Sequence, residues 1–292
     1  METGQAPSGG TTGRHRPDAL ADPGDPETSG DERREHDRLA LRPADRRPFF
    51  PLLRDWLAAC WAPPRCEACE ALVPRPPALC SGCAAGLRPL VEPQCRVCAL
   101  PFPAGTPPGR LCGDCLERPS SFQRARSAWD FEGTLPRLFH AFKFGGQVRA
   151  LRPLLPVAVA SFAAALEDFA PQALLPMPLG WWRRLRRGFN QSYVLAETLQ
   201  QALGTRIPYA QGIRRRGRPP QARRGRAERF RAMRGAFVVV RKNDVCGRRI
   251  LVVDDVMTTG ATVEALSKSL LQAGAEAVQV WTLARRGRKE TP

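Results

Sequence analysis

With 292 residues, 43% of them apolar, the chain can bury one core of ordinary size and a smaller module besides. Its net charge of +17 is uneven: residues 1–48 hold 8 Arg and 10 Asp/Glu, a net of −2, which leaves +19 on the remainder and favours a polyanionic partner, either phosphorylated substrates or nucleic acid. The longest uncharged apolar stretch, Leu154–Leu166, contains Pro156 and falls short of the about 20 residues that span a bilayer, and no apolar run follows the first basic residues. The expectation is a cytoplasmic protein without a membrane span or secretory leader, whose ten cysteines serve metal rather than disulfides.

Residues 1–47 are Gly, Pro, Arg, Ser/Thr and acids with almost no apolar periodicity, a composition that reads as a disordered tail. Residues 48–120 form the next expected unit, opening on a short amphipathic docking helix at Phe49, Phe50, Leu52, Leu53, Trp56 and Leu57. Eight cysteines follow as four Cys-x-x-Cys pairs: Cys66/Cys69, Cys80/Cys83, Cys95/Cys98 and Cys112/Cys115. Each pair places two thiolates on one tight knuckle, and two knuckles complete a tetrahedral site for structural Zn²⁺ with no open position. Gaps of 10, 11 and 13 residues between pairs fit two successive zinc ribbons. Sequential pairing is preferred, with an interleaved arrangement left open. Cys60 and Cys246 stand alone and read as buried or partly buried thiols.

From 125 to 287 strand and helix signals alternate, so an α/β domain is expected: a mainly parallel sheet with helices on both faces, preceded by the small zinc-ribbon module. Leu135, Leu138, Phe139 and Phe142 have helical spacing, and His140 within that pattern reads as a packed residue rather than a base. A longer helix is expected from Val148 to Glu167, a buried strand at Ala173–Met177, and a helix capped by Asn190. Ala236–Val240 and Ile250–Val253 show no polar alternation, which predicts strands buried on both faces. A helix from Thr262 to Ala273 ends at Gly274, and Ala277–Leu283 is the last strand.

The most informative stretch follows Ile250–Val253. Two acids, Asp254 and Asp255, lead into the loop Val256-Met257-Thr258-Thr259-Gly260-Ala261-Thr262 and then a helix. Backbone N–H groups and the dipole at a helix start suit an anion, the three threonines add hydroxyl donors, and Gly260 permits close approach. The two carboxylates suit a neighbouring diol, directly or across Mg²⁺. Anion on one side and acids on the other match a ribose 5-phosphate. This segment resembles the diphosphate-sugar signature of type I phosphoribosyltransferases.

Residues 181–249 hold 19 Arg/Lys against 3 acids. Arg183, Arg184, Arg186 and Arg187 precede a helix, and arginine forks suit a diphosphate. Lys143 is a second source of that charge. The stretch from Arg214 to Arg234 reads as a mobile flap with Gln221 and Arg229 as ligand contacts, or as a nucleic-acid-binding arm with poor aromatic interleaving.

Leu175-Pro176-Met177-Pro178-Leu179, Arg187-Gly188-Phe189-Asn190-Gln191, Gln221 with Glu228-Arg229, and Gly235-Ala236-Phe237, in this order behind the cysteine pairs, resemble the ComF family of competence-type proteins. Ala232 stands where that family's segment usually has Asn. The resemblance implies a type I phosphoribosyltransferase fold behind a zinc-binding module. It further implies 5-phosphoribosyl 1-diphosphate with Mg²⁺ as donor, a basic flap over that donor, and a glycosyltransferase of the phosphoribosyltransferase type whose acceptor the sequence does not name. The family name points to DNA uptake, with single-stranded DNA or DNA-processing proteins as partners. A non-catalytic single-stranded-DNA-binding factor on the same fold is the alternative.

Overall fold

The apolar run Ile250–Val253 becomes the centre of a sheet because the strands on either side of it are also buried along nearly their whole length. The computed structural model describes residues 64–74, 79–145, 148–180, 185, 188–216, 226–233 and 235–287. All of these lie in one unit, Arg54–Pro292. The tail, the docking helix, Cys60, Arg183, Arg184, Arg186, Arg187 and Gln221 lie outside the described residues.

In chain order the elements are α1 (Ser81–Ala85), α2 (Gly113–Glu117), β1 (Ala125–Asp130), α3 (Leu135–Gly145), α4 (Leu155–Phe169), β2 (Ala173–Pro176) and α5 (Gln191–Leu203). They continue with β3 (Ile213–Arg215), α6 (Arg226–Ala232), β4 (Phe237–Val239), β5 (Arg249–Met257), α7 (Ala261–Gln272) and β6 (Ala277–Arg285). Four strands make one parallel sheet in the order β1-β6-β5-β2. Alternate residues leave on opposite faces. Leu174, Leu251, Val253, Trp281 and Leu283 pack with α3, α4 and α5 on one side. Leu175, Ile250, Val252, Val278 and Val280 pack with α7 and the second cysteine ribbon on the other. Trp281, fully buried, meets Phe162 edge-on at 5.3 Å and donates from Nε1 to Ser161 Oγ at 3.1 Å.

Four expectations need correction. Ala236–Val240 does not join the parallel sheet: Phe237–Val239 pairs antiparallel with Ile213–Arg215 in a separate ribbon, and Val240 is 56% exposed. An apolar run fixes that a segment is buried somewhere but not which strand it joins. The helix expected from Val148 is split into a 3₁₀ turn over Val148–Leu154, with Pro153 inside, and α4, where Pro156 falls in the first turn. Proline lacks the N–H that an interior helical position donates, so it starts a helix rather than continuing one. His140 is exposed, because the stripe Leu135, Leu138, Phe139, Phe142 turns the opposite face of α3 to solvent. Cys246 is also exposed, in the turn that leads into β5. The run Arg149–Phe169 is long and apolar enough to cross a membrane by length and composition, yet its Ala158, Phe162, Ala165 and Phe169 pack into the domain core.

Candidate functional site

The acids lie inside a strand rather than beyond it. β5 extends to Met257 because β6 is equally long, and the ladder runs from Arg249↔Ala277 to Met257↔Arg285. Asp254 and Asp255 therefore sit at the carboxyl end of a central parallel strand, where α/β sheets bind ligands. Asn190 caps α5 as expected: its side chain accepts from the Ser192 N–H at 3.1 Å and donates to the Met177 carbonyl at 3.2 Å. That cap aims Ser192 at the acids, and Ser192 Oγ donates to Asp254 Oδ1 at 3.0 Å. The same Oδ1 accepts the Asp255 N–H at 2.8 Å, and Asp255 Oδ1 accepts the Val256 N–H at 2.6 Å. Lys143 reaches across from α3, with Nζ 2.6 Å from Asp255 Oδ2 and over the Phe139 ring at 5.3 Å. The structure thus brings Lys143 to the acid pair.

Burial, then the neighbouring Asp255 charge, pushes the Asp254 carboxyl up to about 7. Lys143 and Ser192 act against that rise. Two adjacent carboxylates that repel one another make a donor set for a hard cation or for hydroxyl hydrogens.

Beyond the acids the chain turns. Gly260 has φ +79°, a left-handed conformation that favours glycine, and a Cβ there would meet nothing within 4 Å. The glycine is needed for the turn, and the space beside it is open. Thr259 Oγ1 accepts the Ala261 N–H at 3.4 Å, Thr258 is exposed, and Gly260 and Thr262 are half-buried. Met257 and Ala261 are buried core residues and Val256 packs on the opposite cluster, so these three present backbone rather than side chain. Arg229 belongs to α6, and its side chain lies outside the described residues. A cavity of about 1040 Å³ runs from Thr259 and Gly260 past Phe230 and Phe237 to the second ribbon; neither Asp254 nor Asp255 lines it.

Each set of four cysteines is closed by sequential pairing. The sulfurs of Cys66, Cys69, Cys80 and Cys83 all lie within 4.8 Å of one another, and so do those of Cys95, Cys98, Cys112 and Cys115. In the second set a hydrogen bond from Cys98 pulls the Cys95 thiol down to about 4 against its burial. Burial, then the charge on Cys95, pushes Cys115 up to about 12. Crowded thiols that cannot all ionise unaided are the donor set a Zn²⁺ ion neutralises.

Ser192 and Arg285 escaped sequence reasoning. Ser192 was findable, two residues past a helix cap in the Arg187–Gln191 segment. Arg285 was not, because nothing in an Arg-Arg pair at a strand end marks one of them as buried at 3% exposure.

Known proteins fit this geometry. Residues 57–116 match the double zinc ribbon domain and residues 190–292 the phosphoribosyl transferase domain. Competence protein F of Haemophilus influenzae is 34% identical over 215 residues, covering 71% of this chain and 90% of that protein. The chain belongs to the ComF family. The DNA utilization protein YhgH of Salmonella typhimurium is 35% identical over 212 residues, again 71% and 90% of the two chains. Competence protein ComFC of Bacillus subtilis is 25% identical over 214 residues, 71% of this chain and 84% of that one. As a ComF member, the chain combines a type I phosphoribosyltransferase-like domain with a ribbon module whose two Cys₄ sets fit zinc.

Proposed function

We propose that this ComF protein binds 5-phosphoribosyl 1-diphosphate and transfers its phosphoribosyl group to an acceptor, in the service of DNA uptake or use. One observation carries the reading: an acid pair, oriented by Ser192 and Lys143, stands directly ahead of an open glycine turn at a helix start. Thr258–Thr262 would hold the 5-phosphate through backbone N–H groups and hydroxyls. Asp254 and Asp255 would hold the ribose diol. The same carboxylates would hold Mg²⁺, which when bound neutralises diphosphate charge.

In the reaction the bond from the anomeric carbon to the diphosphate oxygen breaks, and the electron pair leaves with diphosphate. The acceptor's lone pair then forms the new bond to that carbon. Arg187, Gln221 and Arg229 would steady the leaving group, as preorganised cations and donors do for developing charge. The names of the relatives, competence protein and DNA utilization protein, support a role connected with DNA.

Calorimetric titration of the Mg²⁺ complex of the donor into zinc-loaded protein tests this. Micromolar binding by the wild type, abolished in the Asp254→Asn/Asp255→Asn variant, is the expected result. No binding by a folded, zinc-loaded wild type overturns the reading and leaves single-stranded DNA binding as the function, read out by a steep loss of affinity with salt.

A further inference from the structure

Arg285 ends β6 and is 3% exposed, a depth at which a guanidinium needs partners for its donors. Nε donates to the Cys98 carbonyl at 2.9 Å. Nη1 donates to the carbonyls of Met257 at 3.0 Å, Thr258 and Arg286 at 2.8 Å. Nη2 lies 3.9 Å from Cys98 Sγ. One planar fork therefore joins the third cysteine knuckle, the first of the second ribbon, to the end of β5 and the start of the glycine turn.

The direction of those bonds matters. A trans peptide is planar, so its C=O and the following N–H point to opposite sides. The Arg286 N–H already holds the Met257 carbonyl at 3.0 Å as the last bond of the β5–β6 ladder; Arg285 adds its fork there and takes the Thr258 carbonyl, so the N–H groups of Thr258 and Thr259 turn the other way. Successive N–H groups on one side of a loop make an anion-binding concavity. The other end of the fork rests on Cys98, whose knuckle is shaped by Cys95 N–H to Leu100 O at 2.8 Å and Ala99 N–H to Cys95 O at 2.9 Å. A metal held by Cys95, Cys98, Cys112 and Cys115 would fix that seat, and Arg285 would in turn offset the negative charge of four thiolates.

We propose that Arg285 is a positioning residue for the phosphate-holding turn, seated on the second Cys₄ site, so that zinc there keeps the turn in its anion-ready shape. The proposal rests on the donor-site reading for its purpose, but its test needs no ligand. Hydrogen exchange is followed by mass spectrometry in the full-length, zinc-loaded wild type and in Arg285→Lys, Cys115→Ser and Cys69→Ser variants. Lysine keeps the charge and loses the fork. The Ala261 and Glu264 amides, which close the turn on Thr259 Oγ1 and the Gly260 carbonyl, exchange on the order of tenfold faster in Arg285→Lys and Cys115→Ser, while Cys69→Ser leaves them at the wild-type rate and β5 amides at 250–253 stay protected throughout. Unchanged turn exchange in Arg285→Lys overturns the proposal, as does an equal rise in Cys69→Ser. Should Cys115→Ser also open β5, the Arg285→Lys result decides alone, since that variant keeps all eight cysteines. Failure of the calorimetric test would remove the donor and leave this exchange pattern standing.

Discussion

In the first ribbon the Cys66 N–H donates to Ala71 O at 2.7 Å, Glu70 closes the knuckle at φ 63°, and the Cys80 N–H meets Cys66 Sγ at 3.4 Å. In the second the Cys95 N–H donates to Leu100 O at 2.8 Å, Ala99 closes at φ 52°, and the Cys112 N–H meets Cys95 Sγ at 3.3 Å. The two are one motif written twice, at offsets of 29 and 32 residues. Their surroundings diverge. Cys66 and Cys83 share a small cluster with Val73, and Cys69 is exposed. Cys95, Cys98 and Cys112 belong to the main core beneath β5 and α7. The first ribbon is tied back by Arg149 to Glu67 at 3.4 Å, the second by Ser121 to both oxygens of Glu264 and by Arg285. The same local motif thus leans on the core from outside through Ala68 and Leu79 in one place and forms part of the core in the other.

The sharpest way to break that contrast is to remove one ligand from each. Cys98→Ser should destabilise the domain by about 4 kcal/mol and Cys69→Ser by about 1 kcal/mol, read as the shift in thermal midpoint at pH 7.5; equal shifts would deny the second ribbon its core role. The next effect concerns the acid pair. Because the folded Asp254 carboxyl sits near 7 and an unfolded one near 3.8, the folded state holds the extra proton, and stability falls as pH rises from about 4 to about 7. Asp254→Asn removes that loss. It should be about 2 kcal/mol more stable than wild type at pH 8 and indistinguishable at pH 4, measured by thermal melts across that range, with the same gain in a Cys69→Ser background.

Smaller still are the tethers. Glu264→Gln weakens two hydrogen bonds to Ser121 at 2.9 and 2.6 Å and should cost about 1 kcal/mol. Arg149→Ala, at a side chain that is 64% exposed, should cost no more than about 0.5 kcal/mol by denaturant titration. A reversal of that order would place the anchoring of the module on the first ribbon instead.

Much of this was legible beforehand for physical reasons. The strand Ile250–Val253, the turn at Gly260, the Asn190 cap and the Gly274 stop depend on local backbone preference, so neighbouring residues encode them. Four Cys-x-x-Cys pairs at ribbon spacing state their chemistry because thiolate geometry is local to each knuckle. Local rules failed where a partner strand or an opposing surface made the choice. Phe237–Val239 found Ile213–Arg215 instead of the main sheet, and the acids became strand residues because β6 runs on beside them. His140 and Cys246 turned outward for want of a core on their side.

The sequence by itself determined the ingredients: two sulfur quartets, an α/β sheet with helices on both faces, and an acid pair before a glycine turn. Only the tertiary structure decided that Lys143 and Ser192 meet that acid pair, that the sulfur quartets close sequentially, and that Arg285 binds one quartet to the turn. The reason is range. Hydrogen bonding and φ preference act over a few residues, whereas Arg285 and Cys98 stand 187 positions apart and meet only because β6, which ends in Arg285, packs beside the second ribbon.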